Sequence, residues 1–239
     1  MSTARERLGK DRFIIALDVP TAVEARKLVS AVGDAAVFYK VGKQLFTAEG
    51  PQIVRDLTAA GKKVFLDLKY HDIPNTVAGA VGEAAKLGVD MLTVHASGGG
   101  KMLRAAVEAA KARPGMAVLA VTVLTSMDDD DLEKIGIRGH VLDQVMRLAA
   151  IALADGCHGL VASAREARQL RSEFGKDFLL VTPGVRPAGA AVGDQARVVT
   201  PAEAFAAGAS HIVVGRPITG ASDPAAAVRG IMAGLESSL

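Results

Sequence analysis

Three charged residues, Asp67, Lys69 and Asp72, crowd one short stretch, Asp67-Leu68-Lys69-Tyr70-His71-Asp72-Ile73-Pro74-Asn75-Thr76, and a fourth, Lys40, stands upstream in Tyr39-Lys40-Val41-Gly42. Their signs alternate as Lys–Asp–Lys–Asp. Unpaired charges in a low-dielectric mouth are costly, so lysines placed there need carboxylates between them. Each opposite-charge contact near 4 Å carries up to about 4 kcal/mol of gross Coulomb energy at an effective dielectric near 20. Lysines held this way stay charged and rigid. A fixed ammonium can stabilise negative charge developing on a reacting atom, and it has a proton to donate. Asp72 also fits a helix N-cap ahead of Pro74 in the first turn. The two roles are compatible.

These groups work together only if the fold brings them to one place. Short apolar runs alternate with longer amphipathic, alanine-rich stretches. Eight strands are expected, at Phe13–Val19, Val37–Val41, Lys63–Lys69, Met91–Ala96, Ala117–Leu124, Gly159–Ser163, Phe178–Thr182 and His211–Gly215, with helices between them. Strands separated by helical stretches imply βαβ units and a parallel sheet. Gly61, Gly88, Gly156 and Gly208 each precede an apolar run, where glycine suits the left-handed residue that ends a helix. Eight units without a break in composition predict a single closed (β/α)8 barrel, the TIM-barrel architecture, over residues 1–239. An open doubly wound sheet would be expected to carry a glycine fingerprint after its first strand, and Ala16-Leu17-Asp18-Val19-Pro20 has none.

In such a barrel, reacting groups lie at the C-terminal ends of the strands. Asp18, Lys40, Asp67 and Lys69 all end strands one to three. Side-chain alternation puts Val64, Leu66 and Leu68 under the helices and Phe65, Asp67 and Lys69 on the inner face. The same parity groups Ile14, Ala16 and Asp18, and pairs Phe38 with Lys40.

A second polar group lies after strands seven and eight, where barrel enzymes often bind phosphate. Arg186 and Gln195 follow strand seven; Gly215 and Arg216 follow strand eight. Backbone N–H groups around Gly215 can approach an anion, and Arg216 offers a charged fork. The long Pro183–Val198 connection is expected to close over a ligand. Thr125-Ser126 either hydrogen-bonds a ligand or caps a helix. Asp128–Asp131 reads as a solvated loop, Ser97-Gly98-Gly99-Gly100 as a helix-entry turn, and His71, His95, His140, His158 and His211 as structural.

The segment Asp67-x-Lys69-x-x-Asp72-Ile73-Pro74-Asn75-Thr76 resembles the signature of the orotidine 5′-phosphate decarboxylase family. Matches continue through Ala16-Leu17-Asp18, Tyr39-Lys40-Val41-Gly42, Val94-His95-Ala96, Leu124-Thr125-Ser126, Thr182-Pro183-Gly184-Val185-Arg186-Pro187 and Val214-Gly215-Arg216-Pro217-Ile218. The resemblance implies conversion of orotidine 5′-phosphate to uridine 5′-phosphate and carbon dioxide, with no metal or organic cofactor. It implies that Lys69 protonates C6 of the pyrimidine, and that Lys40, Asp67 and Asp72 complete the charged tetrad. Asp18 and Lys40 would hold ribose hydroxyls, and Arg186, Gln195 and Arg216 the phosphate. The implied assembly is a homodimer, with Asp72 and Thr76 reaching the neighbouring subunit's site. The nearest rival on the same barrel is a magnesium-dependent sugar-phosphate aldolase or decarboxylase. By resemblance those relatives carry a carboxylate metal ligand on the second strand, where this chain has Lys40.

The bulk numbers agree with one globular domain. Of 239 residues, 50% are hydrophobic and 23% charged, enough for a full core and an ordinary surface. A net charge of +2 gives no sign of nucleic-acid or membrane partners. No segment reaches the roughly 20 apolar residues of a membrane span, and no signal peptide is evident. Lone Cys157 is expected to be a buried thiol, and the chain to be cytoplasmic.

Overall fold

A computed structural model describes residues 9–187 and 199–236. Its eight strands are β1 (Phe13–Ala16), β2 (Phe38–Gly42), β3 (Lys63–Tyr70), β4 (Met91–His95), β5 (Ala117–Val121), β6 (Gly159–Val161), β7 (Leu179–Thr182) and β8 (His211–Val214). All neighbours pair in parallel, and β1 pairs with β8 to close the barrel in chain order. The helices between them are α1 (Ala22–Val32), α2 (Lys43–Glu49), α3 (Gln52–Ala59), α4 (Pro74–Lys86), α5 (Gly99–Ala110), α6 (Asp129–Lys134), α7 (Val141–Ala154), α8 (Ala164–Phe174) and α9 (Pro201–Ala206). After β8 come α10 (Arg216–Thr219) and α11 (Pro224–Glu236).

Alternation along the strands builds two separate cores. Ile14, Ala16, Phe38, Phe65, Met91, Ala117, Leu119, Val181 and Val213 fill the barrel interior. Their neighbours of opposite parity, such as Ile15, Tyr39, Val64, Leu66 and Leu92, pack against the helices. Phe65 is 1% exposed, and full burial of such a side chain is worth about 1.5–3 kcal/mol. Helices meet this outer layer with one apolar stripe each. In α1 the stripe is Ala22, Ala25, Leu28 and Val32, and Thr21 caps the helix by accepting the Glu24 N–H.

Gly61, Gly88, Gly156 and Gly208 all have positive φ, the conformation expected where helices end ahead of β3, β4, β6 and β8. Several strands are shorter at their C-terminal ends than the apolar runs that mark them. β1 stops at Ala16 and β5 at Val121, while Leu17, Val123 and Leu124 belong to the connections around the mouth. Val123 and Leu124 line the mouth, whereas Leu17 is buried in the outer core.

Two local expectations are corrected. Asp128–Asp131 is not a loop: Asp128 caps α6 through a reciprocal capping box with Asp131, so adjacent carboxylates serve the first turn. Thr125-Ser126 therefore does not cap α6. Asp72 is not the N-cap of α4; that position is Ile73, whose N–H donates to Asp72 Oδ1 at 2.6 Å. Among the described residues no helix is long and apolar enough to cross a membrane.

Candidate active site

Interior parity carries Asp18, Lys40 and Asp67 upward from the packed core. Two residues below each on its own strand lie Ala16, Phe38 and Phe65 of the inner core, and the stagger of the strands pairs Lys40 with Ala16 on one side and Phe65 on the other. The four charges join into a chain. Lys40 Nζ donates to Asp18 Oδ1 at 3.0 Å and stands 3.6 Å from Asp67 Oδ2. Lys69 Nζ donates to Asp67 Oδ1 at 2.8 Å. Within one chain the alternation therefore runs Asp18–Lys40–Asp67–Lys69.

The links differ in strength because they differ in solvent. The Lys40 and Asp67 side chains are 11% and 13% exposed, whereas that of Asp18 is 57% exposed. Exposed pairs are worth only about 0–1 kcal/mol, so Asp18 adds little to the rigidity of Lys40. Asp67 is the hub. Burial alone would raise its carboxyl pKa, but Lys40, Lys69 and the hydrogen bonds from Lys69 and Thr93 hold it below the usual carboxylate range.

Lys69 reaches this hub by a route that simple alternation does not describe. Leu66 pairs with Leu92, but the next pair is Tyr70 with Val94, so β3 spends two more residues than β4 over this interval. Inside the bulge Lys69 adopts φ 54°, the sole positive φ of a non-glycine among the described residues. Such a conformation costs on the order of 1–3 kcal/mol and persists only where the surroundings impose it. Thr93, fully buried on β4, accepts the Lys69 N–H at 2.9 Å and donates to Asp67 Oδ1 at 3.0 Å.

His95 follows Thr93 on the same face of β4. Its ring centroid lies 5.3 Å from that of His71. Burial, then His71, Lys43 and Lys69, lower its pKa to about 4 against the opposing pull of Asp67, so the imidazole is neutral at pH 7. The other histidines serve the scaffold: His158 Nδ1 accepts the Val118 N–H, and His211 packs edge-on against Phe38.

A cleft of about 490 Å³ opens above the charged chain. It brings together Asp18, Lys40, Asp67, Lys69, Thr125, Arg186, Gly215 and Arg216. The charged residues of β1–β3 form one side; Val121, Val161 and Val213 add an apolar wall. Arg186 is buried, and its guanidinium pKa is lowered by that burial and by the charge of Arg216. Two guanidinium groups converging at one end of a cleft make a place for an anion. Val185 bridges to Val199, and the Arg186 N–H donates to the Val199 carbonyl at 2.9 Å, which anchors the start of this loop.

Other expected residues stand apart. Asp72 and Thr76 are exposed at the start of α4, outside the cleft lining, on either side of an Ile73 that is 67% exposed. Ser126 is exposed in the turn beside Thr125 and is not part of the lining. Gln195, with most of the Pro183–Val198 connection, lies outside the described residues.

Two residues were missed from sequence. Thr93 gave a weak signal, a polar residue at an inward position of an otherwise apolar strand. Gly42 gave another, a glycine two residues after an inward lysine. A Cβ at Gly42 would stand 3.0 Å from Lys40 Nζ and 3.3 Å from Asp18 Oδ1.

Comparison with known proteins places this geometry. The family model described as "Orotidine 5'-phosphate decarboxylase / HUMPS family" matches residues 11–231. A protein of Halorhodospira halophila named orotidine 5'-phosphate decarboxylase is 55% identical over 226 residues, covering 94% of this chain and 96% of that protein. One of the same name from Moorella thermoacetica is 52% identical over 235 residues, covering 95% and 93%. The crystal structure of orotidine 5'-phosphate decarboxylase from Lactobacillus acidophilus superposes with a TM-score of 0.85 at 42% identity, covering 93% of this chain and 98% of that one. The chain belongs to the orotidine 5′-phosphate decarboxylase / HUMPS family.

Proposed function

We propose that this chain converts orotidine 5′-phosphate to uridine 5′-phosphate and carbon dioxide, needing neither metal nor organic cofactor. The observation that carries the reading is the unbroken Asp18–Lys40–Asp67–Lys69 chain in the same cleft as Arg186 and Arg216. Relatives named for this activity, more than half identical over nearly the whole chain, support it.

In this reading Arg186 and Arg216 hold the phosphate, with the backbone at Gly215 beside it. Asp18 and Lys40 take ribose hydroxyls, and Thr125, with Ser126 next to it, faces the pyrimidine. The ring then lies with C6 toward Lys69. Breaking the bond from C6 to its carboxylate leaves the electron pair on C6, in an orbital that the π-system cannot delocalise. The Lys69 ammonium, already in place, stabilises that pair without reorganising. It then transfers a proton from Nζ to C6, and the resulting amine regains a proton from solvent. Asp67, kept ionised, holds Lys69 as the cation before the reaction starts. Phosphate binding far from C6 supplies energy for placing the ring in this charged mouth.

The donor chemistry supports a metal-free reaction. Lys40 stands between the carboxylates of Asp18 and Asp67, where its ammonium would repel a divalent ion. The working unit is a cytoplasmic homodimer of single-domain chains, residues 1–239, in which Asp72 and Thr76 of each copy serve the other copy's cleft. Their exposure beside Ile73 fits a surface that a second copy covers.

The test is turnover of orotidine 5′-phosphate by the purified protein in excess chelator, with uridine 5′-phosphate and carbon dioxide measured as products. Full activity is expected. Activity that vanishes with chelator and returns with magnesium would favour the aldolase-type rival.

A further inference from the structure

The Thr93 hydroxyl joins the two residues on which the charged chain turns. It has one hydrogen to give and lone pairs to receive. The Lys69 backbone N–H can only donate and the ionised Asp67 carboxylate can only accept, so both hydroxyl bonds are fixed in direction: N–H to Oγ1 at 2.9 Å, and Oγ1–H to Asp67 Oδ1 at 3.0 Å. Thr93 is 0% exposed, so water has no access to replace either bond. Its β-branched side chain has few χ1 choices.

The geometry explains why a hydroxyl is needed there. The bulge in β3 takes the Lys69 N–H out of the ladder with β4, and an orphaned buried N–H needs another acceptor. Thr93 supplies it, and so fixes the backbone of a lysine held at φ 54°. The same hydroxyl helps to determine which oxygen of Asp67 meets which lysine. Oδ1 receives Thr93 and Lys69 Nζ, which leaves Oδ2 toward Lys40.

We propose that Thr93 is a positioning residue for the reaction, its hydroxyl fixing the Asp67 carboxylate and the Lys69 backbone in the arrangement that aims the Lys69 ammonium. This deepens the decarboxylase reading and rests on it. Thr93 touches neither substrate nor the reacting atoms; it acts through two groups that do. A purely structural threonine would stabilise the bulge and leave the titration of Asp67 alone.

Two variants separate these roles. Thr93→Val keeps shape and removes the hydroxyl; Thr93→Ser keeps the hydroxyl and removes a methyl. The readouts are kcat and KM on orotidine 5′-phosphate, melting temperature, and a carbon-13 titration of the ligand-free protein labelled at its aspartate carboxyls, with Asp67→Asn used for assignment. Thr93→Val is expected to lower kcat about tenfold to a hundredfold, the size of one lost bond to a charged group, with a much smaller change in KM. The Asp67 midpoint should move up, since one donor to the carboxylate is gone. Thr93→Ser should restore kcat and the midpoint, even if its melting temperature falls. If Thr93→Val is insoluble, Thr93→Ala gives the same readouts.

An Asp67 midpoint unchanged in the hydroxyl-free variant would overturn the proposal, as would a kcat loss in Thr93→Ser equal to that in Thr93→Val. A wild-type protein inactive on orotidine 5′-phosphate would sink the decarboxylase reading instead, while the Asp67 titration would still show whether Thr93 ties the pair.

Discussion

Gly42 is the clearance that the Lys40 ammonium needs: a methyl group at residue 42 would stand 3.0 Å from Nζ. That is tighter than a nitrogen and a carbon normally approach, and the Lys40 tip is the part free to move. Gly42→Ala should therefore fold with little change in melting temperature but push the ammonium off its line between Asp18 and Asp67. A fall in kcat/KM of about tenfold or more is expected, since small misplacements at a reacting centre are costly. Steady-state kinetics beside a thermal melt would check it; unchanged kcat/KM would mean that the position of Lys40 matters less than the geometry implies.

The Lys40–Asp67 contact also has a pH signature. Asp67 titrates below the usual carboxylate range, so the unfolded chain binds more protons than the folded one between the two midpoints. Its contribution to stability is complete above the unfolded value of about 3.9 and is lost as pH falls through the folded one. Lys40→Met removes a cation while keeping most of the stem. It should raise the Asp67 midpoint and flatten the acid side of the stability curve. At neutral pH the loss should be less than the about 3–5 kcal/mol of a fully broken buried pair, because Lys69 remains at 2.8 Å. Urea midpoints from about pH 2 to 5 would show it, since the slope lies between the folded and unfolded midpoints; parallel curves for both proteins would contradict it.

Arg216→Ala tests the other end of the cleft. Removing a charged fork from the phosphate should lower kcat/KM for orotidine 5′-phosphate by about tenfold to a hundredfold. The same substitution should leave the slow turnover of orotidine, which lacks the phosphate, nearly unchanged. Equal losses on both compounds would place Arg216 elsewhere in the mechanism.

Much of this was legible in the residues because barrels enforce simple rules. Alternation separated Phe65 and Asp67 from Val64 and Leu66, and the two cores follow that division. Glycines before β3, β4, β6 and β8 marked helix ends because few other residues tolerate positive φ. The bulge was not legible: nothing in Leu66-Asp67-Leu68-Lys69-Tyr70 announces two extra residues, since a bulge is set by how β3 meets β4. Lys69 thus arrives on the expected side by an unexpected backbone, and Thr93, which holds it there, looks like any strand threonine. The fourth charge shows a different limit. Spacing grouped Asp72 with the lysines, whereas within one chain the carboxylate that completes the alternation is Asp18, brought in by the pairing of β1 with β2.

The proposed dimer assigns Asp72 to the other copy's cleft. Inactive Asp72→Ala protein mixed with inactive Lys69→Ala protein should regain activity once subunits exchange. One of the two clefts in a mixed dimer then has both residues intact, so recovery should approach about one quarter of the wild-type level at equal mixing, as random pairing dictates. No recovery, with exchange shown independently by mass-tagged subunits, would place the role of Asp72 within its own chain.

The central claim is that Lys69 stabilises and protonates C6. Single-turnover decarboxylation by Lys69→Ala, followed by the fall in absorbance as orotidine 5′-phosphate is consumed, tests it most directly. A rate reduced by at least about a thousandfold is predicted, the order of losing both an electrostatic stabiliser and a proton donor. A rate within a few-fold of wild type would show that some other group does this work.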